Sequence, residues 1–314
     1  MYYDRSLPEP LLAILAPGGP MAWLIQWVRS PSGEKVMADL HFRRSSDRPR
    51  GSIQLYAGGT VVLDVVGRPG GKFSLKPALF ARSPSTLFGM DVTEGLLDGL
   101  EDRVREYLDA IIGDVPERWL CGEAALHGRF MRRYSLQART GDPFIAVDRE
   151  VVIGHANRAE QRQVNLAVRT LLGAGAANHR ELDAIGFGTD GHVRLVEIKP
   201  EASTAELQTA ALQTAAHIHR FQLLDTAPTA WQTDLAAMVA QKSSIDLLSA
   251  GQQPSPTCAP PIPVIAAPDD SPSWADRWRT AVSAVRERVP LLLADLRMWR
   301  LDRDTGAVVQ EEHA

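Results

Sequence analysis

Residues Arg180 to Pro200, R-E-L-D-A-I-G-F-G-T-D-G-H-V-R-L-V-E-I-K-P, decide how the chain is read. Glu181 to Phe187 and His192 to Lys199 each have the length and apolar content of a β-strand, and Gly188-Thr189-Asp190-Gly191 between them offers the positive-φ positions of a tight hairpin turn. Side chains alternate across a strand, so Val193, Leu195, Glu197 and Lys199 share one face, with Arg194, Val196 and Ile198 on the other. A carboxylate and an ammonium therefore stand side by side. Asp183, fourteen residues before Glu197, is folded back toward that pair by the hairpin. Two carboxylates at one point make a poor apolar core and a good seat for a hard divalent cation. Lys199 is then placed to polarise a water, which is the outfit for hydrolysing a phosphodiester.

In this pattern, an acid at the end of one strand and Glu197-Ile198-Lys199 on the next, the chain resembles the PD-(D/E)XK nuclease superfamily. Lysine is scarce in the chain: the only ones are Lys35, Lys72, Lys76, Lys199 and Lys242, and only Lys199 has an acid two places before it. The bland alternative is a same-face ion pair on an exposed edge, with Asp183 a solvated strand acid.

The resemblance implies a fold and a site. The fold is α/β (α+β): a β-rich N-terminal domain, then a restriction-endonuclease-like domain with a mixed central sheet flanked by helices. In the site, Asp183 and Glu197 would bind Mg²⁺ or Mn²⁺, the backbone carbonyl of Ile198 would add a ligand, and Lys199 would orient or activate the attacking water. Many members add a glutamate from the preceding helix. Glu160 takes that place here, although a glutamate early in a helix is also what the helix dipole favours. DNA is the more expected substrate, with restriction, repair and phage defence all open as settings. Members often dimerise to cut both strands, which leaves a homodimer open. The reading from another class is a catalytically inactive nuclease-fold protein that binds nucleic acid or a protein partner.

The flanking sequence agrees with such a domain over residues 148–314. Residues 156–172 form a helix with Ala159, Val164, Ala167, Val168, Leu171 and Leu172 inward and Gly173 as its stop. After Lys199, Ser203-Thr204-Ala205-Glu206 is a capping box opening a long helix to about Leu224. Leu207, Ala211, Leu212, Ala215, Ile218 and Phe221 line its inner face. Gln213 lies one face round; some nuclease families carry a glutamine on this helix near the active site, while its spacing alone reads as a surface position. His217 and His219, two apart on the helix, point to different sides and so do not share a metal. A further helix at 233–248 leads into a Pro-, Ser- and Gln-rich loop at 249–261. Beyond it the text reads strand (263–268), helix (274–288), strand (291–301), a turn at Asp304-Thr305-Gly306 and a last strand (307–310).

Residues 1–147 read as a separate domain that supplies substrate choice. From about Ala22 to Leu79 it looks β-rich, with Val36 to Phe42, Ser52 to Tyr56, Thr60 to Val66 and Lys72 to Leu75 as an antiparallel meander. Thr93 caps a helix whose Leu96, Leu97, Leu100, Val104, Leu108 and Ile111 pack inward. Two arginine clusters are candidate nucleic-acid contacts: Arg43, Arg44, Arg48 and Arg50 in a hairpin loop, and Arg129, Arg132 and Arg133, with Arg139, near Tyr134. The hairpin loop reads more readily as an ordinary solvated loop than as a phosphate grip. Gly67-Arg68-Pro69-Gly70-Gly71-Lys72-Phe73 fails as a phosphate loop, because Val66 stands where the first glycine is needed and Phe73 where Ser or Thr is. Gly173-Ala174-Gly175 follows a helix instead of opening one, and there is no G-x-S-x-G.

Composition bounds the rest. The chain has 314 residues, 45% hydrophobic and 23% charged, enough for two cored domains. Its net charge of −4 gives no global attraction to nucleic acid, so binding has to come from local basic patches. Cys121 and Cys258 form no C-x-x-C pattern, so neither a disulfide framework nor a zinc site is expected. The apolar stretch 11–28 is broken by Pro17-Gly18-Gly19-Pro20 and fits neither a signal peptide nor a membrane span, which makes a cytoplasmic protein the expectation.

Overall fold

The computed structural model describes residues 3–45, 48–81, 88, 91–92, 97–139, 141–173, 175–176, 181–224, 230–248 and 259–314. Thr93, Leu96, Arg180, Cys258, the side chain of Arg48 and most of the 249–261 loop lie outside them. The chain is an α+β protein whose residues cluster into two compact units. One comprises Asp4–Ala138 with Asp234–Gln253; the other comprises Tyr3, Arg139–Thr233 and Pro254–Ala314.

The first unit opens with α1 (Glu9–Leu12), α2 (Trp23–Arg29) and α3 (Pro31–Lys35). The expectation of β structure from Ala22 does not hold for these residues. Trp23, Leu24, Ile25, Trp27 and Val28 are all buried, so α2 is apolar nearly all round and shows no helical period in the sequence. Ser30 ends it and starts the next helix, its side chain accepting from Gly33 N–H at 3.3 Å with Pro31 in the first turn. Then come β1 (Ala38–Ser45), β2 (Arg48–Ala57), β3 (Thr60–Gly67), β4 (Phe73–Pro77) and β5 (Asp91–Val92), paired in that order as an antiparallel sheet. Helices α4 (Leu100–Asp114) and α5 (Gly122–Tyr134) follow. Tyr107 of α4 donates to the Val62 carbonyl and accepts from Ala78 N–H, both at 2.8 Å, which ties the helix to the sheet.

The second unit is built on a mixed six-stranded sheet in the order β11-β10-β9-β8-β7-β6. Its elements are β6 (Phe144–Val152), α6 (Arg158–Leu172), β7 (Glu181–Gly188), β8 (Val193–Ile198), α7 (Thr204–Leu223), β9 (Ile262–Pro268), α9 (Trp274–Arg288), β10 (Arg297–Leu301) and β11 (Val308–His313), while α8 (Ala230–Ser244) is divided between the units and counts with the first from Asp234 onward. β6, β7 and β8 are antiparallel neighbours, β8–β9 and β9–β10 are parallel, and β11 closes the edge antiparallel to β10. Every position of β8 and β9 is buried, as parallel strands inside a sheet require. Helix α7 packs on β7, β8 and β9 and against α6 and α9.

The units are not cut at 147/148. Residues 144–147 belong to β6, which pairs with β7, so the second unit begins earlier. Residues 234–248 belong to the first unit although they come late in the chain. Gln241 exchanges two 2.8 Å hydrogen bonds with the backbone of Leu7, and the buried Lys242 lies 5.4 Å from the ring of Phe42. The expected strand at 291–301 is confined to Arg297–Leu301.

Gly186 in β7 lies close against β6. A Cβ there would sit 2.0 Å from the Ile145 carbonyl oxygen and 2.6 Å from the Phe144 ring. Gly186→Ala is therefore expected to push β6 off β7 and to lower stability by about 1–3 kcal/mol, as overpacking does. Urea unfolding of the variant beside the wild type measures this, and an unchanged midpoint would show that the strands part without cost.

Candidate functional site

The geometry of the motif starts at the β7–β8 turn. Gly191 donates to the Gly188 carbonyl at 3.0 Å with φ of 75°, and Gly188 donates back to His192 at 2.9 Å. Asp190 accepts from His192 N–H at 3.0 Å and pairs with Arg194 at 2.7 Å. Burial pushes its carboxyl up, but Arg194 and the His192 N–H outweigh that and hold it below the usual carboxylate range. The turn fixes the register from Phe187–Val193 to Ala184–Val196, and one step further sets Asp183 opposite Glu197. Opposed residues of an antiparallel pair project to the same face.

At that point the ladder is continued by a side chain. The half-buried Asp183 accepts from the Ile198 N–H at 2.7 Å through Oδ2. On the same face Lys199 Nζ lies 2.9 Å from Glu197 Oε1, with side-chain exposures of 9% and 2%. Lys199 N–H bonds to the Ala266 carbonyl at 2.8 Å, so β9 holds the backbone of the motif from the other side. This is a buried charge pair on an interior strand and not an ion pair on an exposed edge.

Ile198 is fully buried, with its amide taken by Asp183. Gln213 is buried on α7 instead of lying at the surface. It shares a helix face with His217, one turn on, which is 1% exposed. His219 points elsewhere and is half-buried; burial, and then the charge of Arg220, lower its pKa and favour the neutral imidazole.

Glu160 sits at the start of α6, where Asn157 accepts from the Ala159 and Glu160 N–H groups at 3.0 Å each. The Glu160 carboxylate turns back to accept from Ala156 N–H at 2.7 Å, so it serves the helix cap. Among the described residues no group of three or more His, Cys, Asp or Glu is placed to hold a metal ion. Asp183, Glu197 and Lys199 are thus brought together, and Glu160 is not joined to them as a third metal-ligating carboxylate.

Two acids that pattern reading passed over belong to the same neighbourhood. The register of β6 on β7, Arg149–Ala184 and Val151–Leu182, places Glu150 opposite Asp183. Glu150 has φ of 49°, a left-handed conformation costly for a residue with a Cβ. Asp148, fully buried two places earlier, accepts from the Tyr3 hydroxyl at 3.0 Å. A hydrophobic pattern carries no sign of either placement, since a β6 bulge sets the register.

The candidate arginines are mostly committed within their own unit. Arg43 donates to Gln54, the Phe42 carbonyl and the Tyr56 hydroxyl, and Arg44 pairs with Asp4 at 2.7 Å. Arg132 is 4% exposed and donates to the carbonyls of Val28 and Ala38 at 2.7 and 2.8 Å, so it presents no surface to a nucleic acid. Burial lowers its pKa, against the opposing pull of Asp39 and Glu34. Arg133 lies over the Tyr134 ring, Arg129 is half-buried, and Arg50 is exposed.

No helix among the described residues is long and apolar enough to cross a membrane. Comparison with protein-family models, with curated proteins and with solved structures returned no match.

The donor set fits a hard divalent cation of one kind. Asp183 and Glu197 offer oxygen alone, and Mg²⁺ is commonly held by one or two carboxylates with its remaining positions filled by water and substrate phosphate. A fully dehydrated cage of protein ligands does not fit, because among the described residues no group of three His, Cys, Asp or Glu side chains is placed to hold an ion. The buried pair is itself testable by a double-mutant cycle in EDTA. Glu197→Gln or Lys199→Met alone is expected to cost about 3–5 kcal/mol, because each leaves a charge buried without its partner, and the double variant is expected to cost much less than the sum. Additive losses in urea unfolding would mean the two side chains are not coupled.

Proposed function

We propose that the chain is a Mg²⁺- or Mn²⁺-dependent nuclease that hydrolyses phosphodiester bonds, with DNA as the substrate, on a restriction-endonuclease-like domain. The observation that carries the reading is the convergence of Asp183, Glu197 and Lys199 at one end of β7 and β8, with the carboxylate of Asp183 anchored on the motif's own backbone N–H. The succession of helix, hairpin, helix, strand, helix and strand in one mixed sheet supports it.

In this reading Asp183 and Glu197 hold the cation, with the Ile198 carbonyl as a further ligand. A bound divalent ion supplies Lewis-acid polarisation of a phosphoryl oxygen and a more acidic water. Lys199, steered by Glu197 Oε1, directs its N–H groups at the attacking water or at a phosphate oxygen and so favours the charge that develops there. The hydrogen bond from Ile198 N–H holds the Asp183 carboxylate in one orientation, which limits the reorganisation needed as the reaction proceeds. Burial of the pair lowers the local dielectric and strengthens each of these interactions.

The other reading, a nuclease fold without catalysis that binds nucleic acid or a protein, draws on one observation: Glu160 serves its helix cap and, among the described residues, no group of three acids is placed to hold a metal ion. The two are separated by incubating plasmid and single-stranded DNA with Mg²⁺, Mn²⁺ or EDTA. The nuclease reading expects metal-dependent cutting that falls by on the order of 10²-fold or more in Lys199→Ala and in Asp183→Ala. Cutting that survives both substitutions sinks the site assignment, and a wild type that cuts neither DNA under any metal sinks the activity.

A further inference from the structure

A second basic feature lies in the first unit, at the end of its sheet. Ser52 pairs with Val66, and two steps along the same register bring Arg50 of β2 opposite Arg68, just beyond β3. Gly67 permits the approach: a Cβ on it would fall 2.6 Å from the Arg50 carbonyl oxygen. The chain then turns through Pro69, Gly70 and Gly71, closed by a 2.8 Å bond from Arg68 N–H to the Lys72 carbonyl. Gly70 and Gly71 have φ of 71° and 75°. The space beside Gly70 is open, and Gly71 is approached only by Pro10 at 3.7 Å, so no side chain covers the backbone of the turn. Together these residues line a cavity of about 220 Å³, walled on its apolar side by Pro10 and its neighbours.

Its charge is one-sided. Arg50, Arg68 and Lys72 all line it, and among the described residues no acid does. Arg68 is steered by Ser74 Oγ at 2.8 Å and partly offset by Asp91 at 3.4 Å. Arg50 and Lys72 are exposed, and among the described residues neither has an ion-pair partner. The cavity is smaller than the roughly 300–1,000 Å³ that enclose a drug-sized ligand. That size suits a single phosphate group of a chain passing across it and not a whole nucleotide.

We infer that this cavity is a phosphate-binding subsite for the backbone of a DNA strand, with Arg50 and Lys72 as its two uncommitted cations. The choice of DNA over free phosphate rests on the nuclease reading of the Asp183 site; the cavity's chemistry does not. The loop fails as a nucleotide phosphate loop, yet it joins Arg50 of the hairpin to form a site that neither segment makes alone.

The test is binding of a short fluorescein-labelled DNA duplex to the full chain by anisotropy, in EDTA so that cutting plays no part, across a series of NaCl concentrations. Arg50→Gln/Lys72→Gln is expected to weaken binding and to flatten the slope of log affinity against log salt by about 1 per cation removed, or about 2 in all, with an unchanged Tm. An unaltered slope in the double variant overturns the subsite even if Lys199→Ala abolishes cutting. A flattened slope in a protein that cuts nothing keeps the subsite and overturns the nuclease reading. A calorimetric titration with inorganic phosphate separates the two sources. Tight phosphate binding lost in the double variant, with DNA affinity unmoved, would make the cavity a small-anion site and refute the proposal.

Discussion

The pairing of Glu197 with Lys199 inside the sheet constrains everything around it. Two ionised groups at 9% and 2% side-chain exposure have surrendered most of their hydration, and their mutual attraction offsets that loss only if the geometry is held closely. The neighbours do the holding. β9 fixes the Lys199 amide from one side, and Asp183 fixes the Ile198 amide from the other. A flat or mobile edge strand could not keep a 2.9 Å contact against that cost.

Position in the sheet follows from this requirement. β8 has a parallel neighbour on one side and an antiparallel one on the other, so its polar end is reached by hydrogen-bonding groups from both. Helix α7 packs across β7, β8 and β9 and buries Gln213 and His217. The strained Glu150 and the buried Asp148 place further acid on β6, the strand beyond Asp183. Acids thus gather on neighbouring strands at this end of the sheet, with Glu197 and Asp148 buried and Asp183 and Glu150 half-buried.

Much of this was legible in the sequence because it rests on local signals. The hairpin announced itself through Gly188 to Gly191, the long helix through Ser203 and Glu206, and the strand-helix-strand close through the continuous apolar run at 263–268 that opens it. What stayed hidden was non-local. Helix α2 is apolar on nearly every side and lacks a period, the return of 234–248 to the first unit depends on Gln241 meeting Leu7, and Glu150 depends on a bulge. At the site, the hairpin spacing and the strand period set Asp183 opposite Glu197 with Lys199 on the same face, as the register has them. Spacing could not tell a glutamate that caps its own helix, as Glu160 does, from one that reaches across to a metal. Nor could it see that Arg132 and Arg43 spend their guanidinium groups on the fold.

The most direct measurement is calorimetric titration of the wild-type chain with Mn²⁺, repeated on Asp183→Asn. Binding of a single ion per chain by the wild type and loss of that binding in the variant is the result predicted if Asp183 and Glu197 form a divalent-cation site. Equal binding by both proteins, or none by the wild type, would contradict it and leave the buried pair as a purely structural feature of the sheet.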